Sequence, residues 1–356
     1  MNLKKKNIMW IGKTGDANAW YHIYPFSQSN FTNELHLVRY KKPLRESPNT
    51  INHIFNGTGS PLDLIRILFK GMQVLYRYKI DCIITFNPVP WGFLAWILSK
   101  LFRKPIMVGY IGTDFHYYLQ KRPYKYLLNF MNRTSKVIFV PGNKMKKKLL
   151  EKSYMENKVN IFPHCVDNNW FDSESKEKPI YHAITVSSLL KGKRIDDIIK
   201  AVEIIKVKNK SIRVCILGDG KEFGYLRNMI YSKGLTSYID LVGFQKDVKS
   251  FLSKSKIYIQ ASENEGLSLS IIEAMSVGLV PVTTLAGSED DHIVDNENGL
   301  FFKIGNYKQL AEKIKILIDN DNEYLRIKGN VLKYRSHFSA DNAISFCDNI
   351  IKKYLM

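Results

Sequence analysis

The chain has 356 residues, 45% of them hydrophobic, with a formal net charge of +20; this length exceeds one ordinary core and points to two globular domains rather than a disordered chain. The charge is lopsided, with 26 Lys and Arg against 8 Asp and Glu in residues 1–165, but 27 against 25 in residues 166–356. The four cysteines (Cys82, Cys165, Cys215, Cys347) are scattered without a C-x-x-C pair, which argues against a disulfide framework or a zinc site and fits a reducing cytoplasm.

In chain order, the basic start gives way to Ile8-Met9-Trp10-Ile11, too short for a signal peptide and readable as a first buried strand. Strands are predicted over residues 7–11, 35–39, 82–86, 106–110, 136–140 and 160–162, and in the second half over 182–186, 213–217, 239–242, 257–260 and 280–284. They alternate with helical stretches, the pattern of parallel sheets with crossover helices. The longest apolar run, 91–102, is broken by Ser99 and Lys100 and falls short of the roughly 20 residues that cross a bilayer. The polar stretch 172–179 reads as a linker. Asp319-Asn320-Asp321 has the D-x-D form of a metal site but follows a predicted helix over 307–318, so it reads as an inter-helix loop with an N-cap. Glu289-Asp290-Asp291 reads as a solvated acidic loop, and no metal site is expected.

The most informative stretch runs from Glu265-Gly266-Leu267-Ser268 to Glu273. A strand precedes it, and Leu269, Ile272 and Met275 then recur at helical spacing until Gly278 and Pro281 stop the helix. Glu265 is expected in the loop and Glu273 inside the helix. The free amides of the first turn, at Gly266, Leu267 and Ser268, form an anion site. An anion flanked by two hydroxyl-binding carboxylates describes a nucleotide sugar.

Here the chain resembles the retaining glycosyltransferases of family 4, which have the two-domain GT-B fold. Five ordered motifs carry the resemblance. Glu265-Gly266 to Glu273 matches E-G-x6-E, and the following Ala274-Met275-Ser276-Val277-Gly278-Leu279-Val280-Pro281-Val282 resembles A-M-A-x-G-x-P-V-V. Leu217-Gly218-Asp219-Gly220 resembles V-G-D-G, and Leu241-Val242-Gly243-Phe244 resembles F-x-G. Residues 186–196 align without a gap on V-G-R-L-x-x-x-K-R-x-D, and Asn298-Gly299-Leu300-Phe301-Phe302 fits N-G-x-L-F. The resemblance is continuous from about Phe162 to Phe302 and thinner before that.

It implies an α/β architecture of two Rossmann-like parallel-sheet domains facing across a cleft. Residues 1–165 would bind the acceptor, with a last helix at about 340–356 packing back on them, and residues 166–339 would bind the nucleotide sugar. It further implies Lys193 as a diphosphate ligand, Glu265 for hydroxyls of the transferred sugar and Glu273 for the ribose. Gly218 and Gly220 would form the turn beside the donor, and Gly243 and Phe244 would line the base. Asp114, after Gly112-Thr113, would orient the sugar or the acceptor hydroxyl.

Three departures stand out. Ser188 replaces the family arginine, leaving Lys191 or Arg194 as substitute cations. Ile111 replaces the family histidine, with His116 two residues on from Asp114. Pro163-His164-Cys165-Val166-Asp167 stands where the family has P-N-G-V-D, which makes His164 a candidate. Gly12 and Gly15 loosely resemble the amino-terminal glycine loop. No cofactor beyond the nucleotide-sugar co-substrate is expected.

Aromatic and basic residues interleave through 115–136, and Lys144, Lys146, Lys147 and Lys148 follow, a composition suited to an anionic membrane surface. The expectation is therefore a hexosyltransferase of bacterial surface-polysaccharide synthesis, with a lipid-linked or glycan acceptor and a UDP-sugar favoured over a GDP-sugar. It would lie in the cytoplasm, peripheral on the inner face of the plasma membrane. Nucleic-acid binding would leave the donor motifs unexplained. A catalytically weak or inactive partner subunit of the same fold, or an enzyme with a small soluble acceptor, stays open on the sequence.

Overall fold

A computed structural model describes residues 4–356 apart from 13–18, 44, 56, 58–59, 112–121, 152–155, 173–178, 208–210 and 267, with the backbone alone at 122. The chain divides into two compact units, Met1–Cys165 with Ala340–Met356, and Val166–Ser339.

In the first unit seven parallel strands stand in the order β3-β2-β1-β4-β5-β6-β7. They are β1 (Lys6–Ile11), β2 (Thr32–Arg39), β3 (Thr50–Ile54), β4 (Cys82–Phe86), β5 (Ile106–Gly109), β6 (Val137–Val140) and β7 (Val159–Ile161). Helices α1 (Ala19–Gln28), α2 (Leu62–Arg77), α3 (Phe93–Leu101), α4 (Arg122–Thr134) and α5 (Asn143–Leu150) connect them. Ile8, Met9, Trp10 and Ile11 are wholly buried, because helices cover both faces of a parallel sheet and leave no side for solvent. Met9 and Ile11 pack with α2 and α3 residues such as Val74 and Leu98, while Ile8 and Trp10 join Ile23 and Phe26 of α1 on the other face. Strand β3 is not predicted from the sequence. It is a half-exposed edge strand with polar Asn52 and His53, so it lacks the apolar run that marks a buried strand.

The second unit has six parallel strands in the order β10-β9-β8-β11-β12-β13: β8 (Tyr181–Val186), β9 (Val214–Leu217), β10 (Ile239–Gly243), β11 (Ser255–Gln260), β12 (Val280–Thr283) and the two-residue β13 (Leu300–Phe301). Its helices are α6 (Ile195–Lys206), α7 (Phe223–Ser232), α8 (Val248–Ser253), α9 (Leu269–Ser276), α10 (Tyr307–Asp319) and α11 (Asp321–Tyr334). Asn320 caps α11 by accepting from the Glu323 amide at 3.1 Å, which gives the Asp319-Asn320-Asp321 run a structural task. The unit's entry and exit are paired: the Val166 amide donates to the Phe338 carbonyl at 2.9 Å.

The last helix, α12 (Ala340–Leu355), belongs to the first unit. Cys347, Ile350 and Ile351 enter the same core as Ile8 and Phe26. Asp348 accepts from the Ser29 hydroxyl, the Asn30 amide and the Asn30 side chain at 2.5, 2.9 and 2.7 Å. No helix among the described residues is long and apolar enough to cross a membrane.

Each strand order reverses direction once. In the first sheet the switch lies between β1 and β4, and in the second between β8 and β11. Loops leaving the carboxyl ends of the two strands at a switch diverge to opposite sides, which opens the crevice where such sheets bind ligands.

Candidate functional site

The second unit's switch point gathers the predicted donor residues. After β8 the chain turns through Lys191–Lys193, and Arg194 sits left-handed at φ 52° before α6 begins. After β11 it runs through Ser262 to Ser268, the N-cap of α9. The Glu263 amide donates to the Gly192 carbonyl at 2.9 Å, so the two loops are tied backbone to backbone. That tie brings the Lys193 ammonium onto the Glu265 carboxylate, a direct ion pair. With side chains 24% and 12% exposed, both partners lie in a recess and still reach water.

Arg194 points elsewhere. Its guanidinium meets Asp197 and Glu263 at 2.6 Å each, and hydrogen bonds to Asp197 first and Glu263 second hold it charged above its ordinary range. As a substitute for the arginine missing at Ser188 it is already committed to the loop. Lys191 is exposed at the start of the turn.

The glycines do backbone work. The Gly218 amide donates to the Gly243 carbonyl at 2.9 Å, the Leu189 amide to Asp219, and the Glu222 amide to Leu189. The carboxyl ends of β8, β9 and β10 are thereby laced together. Gly218 has φ 139°, and a Cβ there would stand 1.7 Å from the Ser187 carbonyl oxygen; at Gly220 it would stand 2.4 Å from that of Leu189. No other residue fits so close a backbone approach. Gly243 is also left-handed, at φ 84°, and Phe244 after it is 67% exposed.

Glu265 lies in the loop and Glu273 inside α9, where it is half-buried. Between them sits a residue that the sequence did not single out. Tyr258 on β11 is 1% exposed, and its hydroxyl donates to the Val186 carbonyl at 3.3 Å. Burial pushes its phenol up and the charges of Glu265 and Glu273 add to this, while hydrogen bonds with Ser270 and Ser268 oppose it. One buried hydroxyl thus links β8, the Glu265 loop and the start of α9. In the sequence Tyr258 is only an aromatic residue in a strand.

The acidic run at 289–291 departs from its expected solvation. Glu289 is fully buried. It accepts from the Gly287 amide at 2.6 Å and from the Gln260 side chain at 3.1 Å. Burial pushes its carboxyl up to about 7, with the nearby charge of Glu265 adding. Gly287 lies against the Glu265 loop: the Ser288 amide donates to Gly266 at 3.0 Å, and a Cβ on Gly287 would come within 2.3 Å of the Gly266 carbonyl oxygen. Glu289 therefore braces the loop that carries Glu265.

In the first unit, Gly12 closes β1 beneath Phe86, whose carbonyl oxygen a Cβ would meet at 3.0 Å. His164 is 9% exposed, and its ring stands edge-on to His22 at 6.0 Å. His22 stacks on Phe86 at 4.3 Å and is lowered by burial to about 4, so it is neutral at physiological pH. Ile111 packs on the hydrophobic core beside them. Gly15, Asp114, His116 and Leu267 lie outside the described residues. Among the described residues no group of three or more His, Cys, Asp or Glu is placed to hold a metal ion.

Comparison with known proteins follows the same division. The profile of the family "Glycosyl transferases group 1" matches residues 166–333. The poly(ribitol-phosphate) alpha-N-acetylglucosaminyltransferase of Staphylococcus aureus is 29% identical over 203 residues, 56% of this chain but 40% of that protein's own length. The N-acetyl-alpha-D-glucosaminyl L-malate synthase of Bacillus anthracis is 22% identical over 309 residues, 81% of each chain. A crystal structure of Anabaena HepE in complex with UDP-glucose superposes with a TM-score of 0.78 over 98% of this chain and 100% of that one, at 16% identity. That likeness shows the GT-B fold.

Proposed function

The carboxy-terminal unit belongs to the glycosyl transferases group 1, and on that premise we propose that the chain moves a sugar from a UDP-sugar, with retention, to a glycan or lipid-linked acceptor. The observation that carries the reading is the Lys193–Glu265 pair at the β8/β11 switch, beside the start of α9. Each partner has a task matched to its chemistry. Lys193 is a compact cation on a flexible stem, suited to a leaving diphosphate whose charge grows as the glycosidic bond breaks. Glu265 is an acceptor-only group, suited to hold sugar hydroxyls. The amides at Gly266 and Ser268 face the distal phosphate, as a helix start favours. Glu273 takes the ribose hydroxyls, and Gly243 and Phe244 line the base.

In this account no enzymic nucleophile attacks. The acceptor hydroxyl approaches the anomeric carbon from the face that the diphosphate leaves, and its proton passes to the departing phosphate oxygen. The protein contributes positioning and charge stabilisation. The reading assigns no metal, because Lys193 and the helix amides meet the diphosphate charge. On the resemblance of Gly112-Thr113-Asp114 to the family motif, Asp114 would orient the sugar or the acceptor hydroxyl. UDP is favoured because the HepE complex holds UDP-glucose. A polymer acceptor accords with the S. aureus relative, named for poly(ribitol-phosphate). The basic unit would work at the inner face of a bacterial plasma membrane.

A second reading, a catalytically weak or inactive partner subunit, draws on the exposed Ser188 at the family's arginine position and on the commitment of Arg194 to Asp197 and Glu263. UDP release from a panel of UDP-sugars separates the two. The enzyme reading expects turnover that falls about 10²–10³-fold in Lys193→Ala, the usual cost of removing one group that stabilises developing charge. Release indistinguishable from buffer across the panel would favour the partner subunit.

A further inference from the structure

A basic groove lies on the first unit at the amino ends of its strands, the opposite edge from the β1/β4 switch. It has a volume of about 630 Å³ and is lined by Lys100, Arg103 and Lys104 ahead of β5, Lys136 ahead of β6 and Lys158 ahead of β7, with Thr134 among them. Among the described residues no acidic side chain lines it, and none of the five cations forms an ion pair with a carboxylate. Two of them donate to carbonyls: Lys100 to that of Thr134 at 3.5 Å and Lys158 to that of Arg133 at 3.1 Å. A groove this cationic is matched by phosphate.

An apolar stripe runs up to it along the outer helices. Helix α2 turns Leu62, Ile65, Phe69 and Tyr76 to solvent, with exposures of 58, 52, 62 and 80%, and of these Tyr76, at the carboxyl end of the helix, lies on the groove side. Their spacing of three, four and seven residues puts them on one helix face, beside Arg66 and Arg77. Helix α3 adds Leu101 at 65%, and α4 adds Tyr126 at 74% and Phe130 at 56%. The faces join ring to ring, Tyr76 against Phe102 at 4.9 Å and Trp96 against Phe130 at 5.3 Å. The Trp96 indole donates to the Thr134 hydroxyl at the groove wall, and the Lys100 ammonium lies 5.8 Å from its ring. The apolar stripe and the cationic groove are therefore one continuous surface.

We propose that this surface docks on a bilayer of anionic phospholipid, with the groove taking phosphodiester head groups and Phe69, Leu101, Tyr126 and Phe130 entering the interface. A soluble polyanion would be served by the cations alone and would leave several large apolar side chains exposed without purpose. A bilayer uses both. The proposal deepens the membrane part of the function above and assigns it to the α2–α3–α4 face.

Co-sedimentation with phosphatidylglycerol–phosphatidylcholine vesicles tests it. Two double variants are compared with the wild type, Lys100→Gln with Arg103→Gln, and Phe69→Ser with Phe130→Ser. All four residues are solvent-facing, and circular dichroism and the melting temperature of the same preparations check folding, so the outcome does not depend on the donor reading. Each neutralised cation should weaken vesicle binding about fivefold, and each lost ring about tenfold. Phosphatidylcholine alone should not retain the protein. Full retention of either variant on anionic vesicles overturns the proposal. So does binding of inorganic pyrophosphate to a wild type that ignores vesicles, which would make the groove a site for a free anion.

Discussion

Gly218 shows how much of the candidate donor site is backbone. Its left-handed φ and the 1.7 Å approach to the Ser187 carbonyl mean that a methyl group there must separate β8 from β9 where their carboxyl ends are laced. Gly218→Ala should cost about 3 kcal/mol or more by thermal unfolding. Gly224→Ala is the control: its Cβ would meet nothing within 4 Å on helix α7, and it should be neutral or stabilise by about 0.5–1 kcal/mol. Equal effects at the two positions would contradict this account of the loop. The placement of Glu265 in a loop and of Glu273 in a helix was legible in the sequence because helical spacing begins at Leu269. Tyr258 and Glu289 were not, because burial decides their roles and no local pattern records it. An acidic triplet looks solvated until the loop folds over its first member.

Among the elements, the loop from Gly287 to Glu289 couples titration to the site. The folded pKa of Glu289, about 7, lies above its ordinary value of 4.5. The folded state therefore holds the extra proton between these values, and this group's contribution to stability is lost as pH rises through that window. His22 works in the opposite sense. Its folded value near 4 lies below the ordinary 6.5, so its contribution is present above the ordinary value and is lost as pH falls through the folded one. The difference between wild type and Glu289→Gln isolates the carboxyl. The variant's melting temperature should gain on the wild type steadily from about pH 5 to about pH 8, and a pH-independent difference would refute the assignment. Most strands were readable because continuous β-branched runs mark buried parallel strands. β3 and β13 escaped because an edge strand, or one of two residues, carries no such run.

Across the whole molecule the charge is uneven: +18 falls in residues 1–165 and +2 in the rest. The structure adds where part of that charge sits, in a groove at the amino ends of β5, β6 and β7. Composition could give the excess of lysines but not their placement, which follows from strand order. Each sheet has a switch point, and the near-neutral one holds the candidate donor site. The central claim is that the β8/β11 switch of the second unit binds UDP through Lys193 and Glu273, and titration calorimetry of UDP into the intact protein tests it most directly. Wild type should bind one UDP, Glu273→Ala and Lys193→Ala should each weaken binding about tenfold or more, and both should keep the wild-type melting temperature. UDP binding of unchanged affinity in both variants would place the nucleotide elsewhere and contradict the account.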